Sequence, residues 1–389
     1  MHLKERKPIR NKRYVELDSL RGLAAFFVLL HHCLLIFPVF DAGDYSNDNN
    51  NFFIKLLLNT PLRLILTGHE SVILFFILSG FVLSLPYYTS KEINYHKYLI
   101  KRFFRIYIPY LIAVIIAILA NLLFSQNGIL TFSDWFNKIW TYKTSLVDIV
   151  NHILFLGYYN TNEYNTVIWS LVHEMRISII FPFLMFLILR FSWKTNITIV
   201  FVLSIASFML LKIFEPKYNT NFIITLHYIS MFMIGSLLAK HKEFLVGFYN
   251  KANQLQRFIF FLFALTLYTY QGLLSHIKLM HNFLINEYLI AMGSSLFIII
   301  ALSTSKFSVF LNLKPLRFLG EISYSLYLYH TIILFSLIYI FKDTLPIYII
   351  LFSTVICSII WATIFYYFVE KPSKELGTKL INKRYKKNG

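Results

Sequence analysis

Apolar runs of about 20 residues recur from one end of the chain to the other, each long enough to cross a hydrocarbon core about 30 Å thick. In lipid no water is present to satisfy backbone N–H and C=O groups, so runs of this kind fold as helices. They lie approximately at Leu20–Phe40, Ser71–Tyr88, Phe103–Phe124, Val167–Leu189, Thr195–Phe214, Phe222–Ala239, Phe258–Leu274, Leu284–Ser303, Ile322–Phe341 and Pro346–Val369. Nothing left between them is long enough for a soluble domain. Composition agrees: 14% of the 389 residues are charged, where a soluble surface needs roughly a quarter. The sequence thus predicts an all-α, polytopic membrane helix bundle of about ten transmembrane helices over residues 1–372, with a basic tail over 373–389. A further stretch, Phe52–Thr67, is apolar but broken by Lys55, Pro61 and Arg63. It reads as interfacial or re-entrant.

Lys and Arg set the orientation, because loops on the cytoplasmic side retain positive charge. If the N-terminus is inside, 26 of the 37 Lys and Arg residues fall in inside segments and 8 in outside loops. Both ends are therefore expected in the cytoplasm, with an even number of spans. The net charge of +18 sits in short loops beside spans, where topology and anionic headgroups account for it and nucleic acid is not needed as a partner. Cys33 and Cys357 both fall inside predicted spans, so neither a disulfide framework nor a metal-binding spacing is indicated. The basic N-terminus and first apolar run resemble a secretory signal, but the run is long, contains His31 and His32, and lacks a small-residue cleavage site. It is read as the first helix of the mature protein.

Ionisable groups within a bilayer cost about 2.5–3.5 kcal/mol each on insertion scales, so each one calls for a reason. The first helix carries the richest set. Arg21 and His32 are three turns apart, within about 20° of one face, and Asp18, Ala25 and Val28 fill the stripe between and beside them while His31 points away. Arg21 can hold a phosphate or carboxylate, and a neutral His32, about 16 Å deeper, can take a proton from a hydroxyl. The simpler alternatives are an Arg21 that snorkels beside Asp18 and a His32 that hydrogen-bonds a neighbouring helix.

At the start of the third span, Lys101, Arg102 and Arg105 form a cationic clamp suited to a phosphorylated ligand, or else a positive-inside anchor. In the fourth, Trp169, Ser170, His173, Glu174 and Arg176 crowd together near the outer edge. That group can orient a base or bind a sugar against Trp169; it can also be ordinary helix-start chemistry. The ninth span is dense in hydroxyls and carries Tyr327 and His330, facing either a polar cavity or the bundle. Glu370-Lys371-Pro372 reads as the end of the last span, stopped by proline.

Six segments together resemble the family 3 membrane acyltransferases, bacterial proteins that O-acylate surface polysaccharides, lipopolysaccharide and peptidoglycan. They are Leu17-Asp18-Ser-Leu-Arg21-Gly-Leu-Ala-Ala with His32 beyond, Phe75-Phe76-Ile-Leu-Ser79-Gly80-Phe81, Arg102-Phe-Phe-Arg105-Ile-Tyr107, Trp169-Ser170-Leu-Val-His173-Glu174, Ile322-Ser323-Tyr324-Ser-Leu-Tyr327-Leu-Tyr329-His330, and Glu370-Lys-Pro372. The resemblance implies transfer of an acyl group, usually acetyl, from cytoplasmic acyl-CoA to a hydroxyl of an extracytoplasmic glycan. By position, Arg21 and His32 match the family's Arg/Lys-x10-His pair, and Arg102 and Arg105 its basic cofactor-side motif.

Some relatives carry a fused extracytoplasmic esterase domain, whereas this chain runs only nineteen residues past Glu370. The expectation is therefore that it acts alone or passes its acyl group to a separate esterase or transferase. The expected site is His32 as base with Arg21 and Glu174, a donor clamp of Arg102, Arg105 and Lys101, and acceptor contacts from Trp169, His173, Tyr327 and His330. No bound cofactor or metal is implied: the acyl-CoA is a substrate, the location a bacterial plasma membrane. The competing class is a transporter or flippase of glycan intermediates, which also uses intramembrane Arg, His and Glu. Against it, no half-to-half repeat and no paired Gly/Pro breaks are evident. An assembly component without chemistry of its own would not need the buried ionisable stripe.

Overall fold

The computed structural model describes residues 13–41, 52–89, 93–125, 128–140, 145–273 and 282–386. Ten long helices carry it: α1 (Val15–Leu35), α2 (Gly68–Ser84), α3 (Ile108–Phe124), α4 (Ile168–Arg190), α5 (Trp193–Phe214), α6 (Phe222–Lys251), α7 (Gln254–Leu273), α8 (Phe283–Leu302), α9 (Lys314–Phe341) and α10 (Ile347–Phe365). There is no strand among the described residues. Nine helices among them are long and apolar enough to cross a membrane. The chain is an all-α multi-pass membrane protein. α7, over the predicted Phe258–Leu274 span, is not one of the nine, because Gln254, Gln256, Arg257 and Gln271 dilute its ends. Its Phe258, Ile259, Leu262 and Phe263 are nevertheless exposed, as a lipid-facing helix requires.

Side-chain ties show that successive helices run in opposite directions. At the N-terminal end of the bundle, Lys242 Nζ donates to Tyr14 Oη (2.9 Å), Asn312 Nδ2 to Glu16 Oε1 (3.1 Å) and Arg257 Nη1 to Thr304 O (3.0 Å). At the far end, Tyr270 Oη donates to Asn286 Oδ1 (2.8 Å) and Ser133 Oγ to Leu35 O (2.6 Å).

Phe52–Thr67 forms a helix, Phe52–Asn59, and a 3-10 turn, Pro61–Leu66, both too short to cross. Leu58 and Leu66 pack with Phe40 in a small cluster apart from the main core. The interfacial reading fits this. Arg63, however, is not a loop charge: it is 1% exposed, close to Glu70 and His31. A charge count along the sequence could not distinguish a buried arginine from an exposed one.

The most extensive helix contact is α1 against α9. It is a backbone contact, since a Cβ on Gly22 would lie 2.4 Å from Gly320 N, and one on Gly320 would lie 2.6 Å from Asp18 O. α2 and α6 cross in the same way, with a Cβ on Gly80 falling 2.1 Å from Phe232 O and one on Gly235 1.9 Å from Ile77 O. Close approach of small residues is how helices gain packing in lipid, where the apolar solvent offers no hydrophobic drive.

Several helices depart from the expected boundaries: α1 lies earlier, at Val15–Leu35, α6 runs on to Lys251 and α9 starts at Lys314. The third span begins earlier, as Tyr95–Arg102, and passes through a π-turn at Phe103–Tyr107 before α3. The last continues beyond Pro372: a second π-turn, Tyr366–Glu370, leads into helix Lys371–Lys386. Proline fails to stop the helix because the wider turn already breaks the regular hydrogen-bond ladder that its missing N–H would interrupt. The segment read as a basic tail is therefore helical through Lys386, and it packs on the other π-turn. Ser373 Oγ donates to Phe104 O (2.5 Å), and a Cβ on Gly377 would lie 2.8 Å from Phe104 Cβ.

Substituting Ala at Gly22 or Gly235 should destabilise the folded protein by about 1–3 kcal/mol, the usual cost of overpacking. Ala at Gly247, which has open space around its Cβ position, should be neutral or stabilising by up to about 1 kcal/mol. Thermal melting in detergent checks this, and equal melting temperatures for all three variants would refute the glycine contacts.

Candidate active site

A cavity of about 440 Å³ opens between α1, α2, α4, α9 and the two π-turns. Four cations line it, Arg13, Arg21, Arg105 and Lys374, and four carboxylates, Asp18, Glu174, Glu321 and Glu370. The pairing among them is unequal. Asp18 is held by Arg13 Nε (2.7 Å) and Arg21 Nη1 (3.4 Å). Its carboxylate, hydrogen-bonded at the mouth, holds the Arg13 guanidinium above its usual pKa. Glu370 is held by Lys374 Nζ (2.5 Å) and Ser325 Oγ (2.7 Å). Arg105 makes no hydrogen bond or ion pair with a described residue, and its side chain is open to the cavity. An uncommitted guanidinium in a partly enclosed space is a site for an anion such as a phosphate.

The π-turn is what turns Arg105 inward, because one residue too many per turn rotates the helix face at that point. Its loosened carbonyls are taken up by neighbours: Tyr324 Oη donates to Ile106 O (2.9 Å), and Ser373 to Phe104 O. Arg102 is buried against Tyr98 rather than lining the cavity, and Lys101 is exposed on the outer face. Of the three residues read as a clamp, the structure brings only Arg105 into the cavity with Arg21.

Deeper in, Ser79 Oγ donates to Glu174 Oε1 (3.1 Å), and Tyr327 Oη meets Ser170 Oγ (2.7 Å) while donating to Val167 O (3.0 Å). Glu174 therefore faces the same cavity as Arg21. Arg176 does not join it: two residues further along α4 the side chain points to the loops, donating to Leu156 O (2.8 Å), Gly157 O (2.6 Å) and Thr220 O (2.7 Å).

His32 and His330 sit past the inner end of the cavity, next to Tyr327, whose ring lies 6.1 Å from that of His330. The two imidazoles are joined. His330 Nδ1 donates to Leu326 O (3.0 Å), which leaves Nε2 as an acceptor. That Nε2 lies 2.9 Å from His32 Nδ1, which is also 3.0 Å from Val28 O, so Nδ1 of His32 carries the proton shared between them. No described residue hydrogen-bonds His32 Nε2, the nitrogen that keeps its lone pair in this tautomer. This tautomer assignment follows from the hydrogen-bond network. Trp135 stacks on the His32 ring (5.2 Å, 26°), carried there by a four-residue helix, Asp134–Asn137, tied to the end of α1. Nothing in the loop sequence pointed to Trp135, since its contact depends wholly on the tertiary fold.

The outer group divides. Trp169 lines a second cavity at the far end. His173 is fully buried with both nitrogens engaged: Nε2 donates to Asn219 O (2.8 Å) and Nδ1 accepts from Thr225 Oγ1 (2.9 Å). That placement ties helices α4 and α6 together and leaves no nitrogen for a ligand. A second set joins the half-exposed His69 of α2 to the buried Glu287 and His227 of α8 and α6. It was visible by the criterion applied to the first helix, ionisable residues in apolar runs, but only the fold joins the three.

Comparison with known proteins now bears on this site. The profile of the acyltransferase domain family matches residues 14–367. The chain belongs to that family. It is 24% identical over 343 residues to O-acetyltransferase OatA of Staphylococcus aureus strain NCTC 8325, covering 83% of this chain and 55% of that protein. Against O-acetyltransferase OatA of strain MRSA252 the figures are 24% over 333 residues, 80% and 53%. The chain thus spans about half the length of these curated relatives. No solved structure gives a significant match. The matched region contains the cavity's α1, α2, α4 and α9 residues and the π-turn bearing Arg105.

His173→Phe should lower the melting temperature, because Thr225 and Asn219 O each lose a buried partner at about 1–3 kcal/mol. An unchanged melting curve would show that His173 is not the interhelical tie described.

Proposed function

We propose that this acyltransferase moves an acyl group, acetyl in the simplest case, from a cytoplasmic acyl-CoA to a hydroxyl of a cell-surface or lipid-linked glycan. Supporting the reading are the family membership, the curated O-acetyltransferase relatives and, above all, one observation: Arg105 and Arg21 face a single cavity, and its lining residue Tyr327 has its ring 6.1 Å from that of His330, the partner of His32. Coenzyme A is anionic through its phosphates, and a cavity lined by Arg105, which no described residue pairs, suits it. The end at which it opens carries the Lys- and Arg-rich segments, which supports the reading that this end and both termini face the cytoplasm at a bacterial plasma membrane.

In this reading Arg105, with Arg21, holds the donor's phosphates and sets the thioester's depth. His32 Nε2 takes the proton of the acceptor hydroxyl as its oxygen attacks the acyl carbonyl. The carbon–sulfur bond breaks, and the thiolate of coenzyme A leaves and is protonated from solvent. His330 holds the His32 ring through Nδ1, as an orienting partner does for a general base. Glu174 and Tyr327 are placed to touch the reacting groups from α4 and α9. The acyl group goes to the glycan directly or through a separate extracytoplasmic esterase or transferase. A transporter would not need an imidazole oriented by a second histidine, as His32 is by His330.

Mass spectrometry of cell-surface glycans with and without the gene tests the reaction: loss of an acyl mass on deletion, restored by the gene, is expected. Unaltered glycans would overturn the reading. With the purified protein, coenzyme A should raise the melting temperature, and Arg105→Ala should weaken that effect by roughly 10–100-fold in ligand concentration, equivalent to losing a charge-assisted contact of about 1.5–3 kcal/mol. No coenzyme A effect on the wild-type protein would instead favour transport.

A further inference from the structure

The second cavity, about 510 Å³, lies at the opposite end of the bundle from the donor mouth. Its chemistry is the reverse of the first. No Lys or Arg lines it among the described residues; its polar groups are His69, Glu215, Asn219 and Asn221, and Trp169, Tyr228 and Phe283 supply flat aromatic surface. Aromatic faces with neutral amides and a carboxylate suit a hydroxyl-rich, uncharged ligand and disfavour an anion such as coenzyme A.

His69 is the one basic group on this surface, and it is built in. Its side chain is 39% exposed, yet Nε2 donates to Oε1 of Glu287, whose side chain is 1% exposed. The other oxygen of Glu287 accepts from His227 Nε2 (3.1 Å), and His227 Nδ1 accepts from Ser204 Oγ (3.1 Å). A carboxylate buried among α2, α6 and α8 with both oxygens on imidazoles is costly unless every member is satisfied. Here the network leaves one ring nitrogen unused by any described residue, Nδ1 of His69, on the group that lines the cavity. Glu215 adds a strained backbone: at φ 38° it is in the left-handed region at the end of α5, an arrangement that for a non-glycine residue persists only where the surroundings impose it.

The two cavities share a thin wall. Trp169 lines one and Ser170 the other, and the Phe76 ring of the first lies 4.4 Å from the Tyr228 ring of the second.

We propose that this far-end cavity is the acceptor site, binding an uncharged segment of glycan against Trp169 and Tyr228, with His69 Nδ1 hydrogen-bonding a sugar hydroxyl and Glu287 positioning His69. The proposal rests on the reading of the protein as a glycan acyltransferase, and it identifies where that acceptor binds. His69 is a binding residue and Glu287 a positioning residue. His32 remains the base.

The test uses the full-length protein in membranes, with glycan extracted from the same cells and chemically O-deacylated as the acceptor and radiolabelled acetyl-CoA as the donor. His69→Gln, Glu287→Gln and Trp169→Ala should each raise the half-saturating glycan concentration at least tenfold and leave that for acetyl-CoA unchanged. A merely structural role would move both together or neither, and either result overturns the proposal. Calorimetric binding of the same deacylated glycan needs no transfer. If wild-type protein binds it and the His69→Gln variant does not, the site stands even where acetyl transfer is absent; if both bind equally, the site is refuted.

Discussion

The α1–α9 contact at Gly22 and Gly320 is the constraint on which the site depends. Both helices start at the same end of the bundle and run parallel, and at the glycines their backbones touch. Arg21 and Glu321 flank that contact at the cavity mouth. From each glycine the next imidazole on the contact face is ten residues on, about 15 Å along a helix: His32 from Gly22 and His330 from Gly320. Equal offsets on parallel helices bring the two rings level, and their nitrogens lie 2.9 Å apart. A side chain at either glycine would separate the helices and with them the histidine pair.

This explains what could be read from the sequence and what could not. The helix count, the all-α class and the stripe through Arg21 and His32 follow from local periodicity, which one helix displays by itself. That His330 would meet His32 was hidden in the shared spacing from two glycines, a relation between helices nearly 300 residues apart that no single window contains. The π-turn that rotates Arg105 into the cavity while leaving Arg102 buried has no compositional mark either. An ordinary helix would have kept both arginines as neighbours on one face, which is why the cationic clamp was read as a unit. Arg63 and Pro372 show the same limit. One was assigned by its place in a loop and the other by proline's usual effect, and in each the tertiary environment decided.

Charge is divided along the axis of the bundle. The N-terminal mouth gathers four cations and four carboxylates, with Arg105 uncommitted among the described residues, while no described Lys or Arg lines the far cavity, where a histidine sits on a buried carboxylate. Between them lie His32, stacked by Trp135 and oriented by His330, and His31, which packs against Gly68 beside His69. In the proposed reading, an anionic donor from one side and a neutral acceptor from the other would meet at His32, whose Nε2 no described residue hydrogen-bonds. Burial of so many ionisable groups costs stability, and in the proposed reading a two-sided transfer gives several of them a use.

The central claim is that His32, set in place by the glycine crossing, is the base. It is tested most directly by comparing His32→Ala with His31→Ala at matched membrane insertion, following radiolabelled acetyl from acetyl-CoA into glycan. The account predicts that His32→Ala loses about 10²–10⁴-fold of the transfer rate, the usual worth of a general base, while His31→Ala retains most of it. Transfer by His32→Ala at the wild-type rate would contradict it.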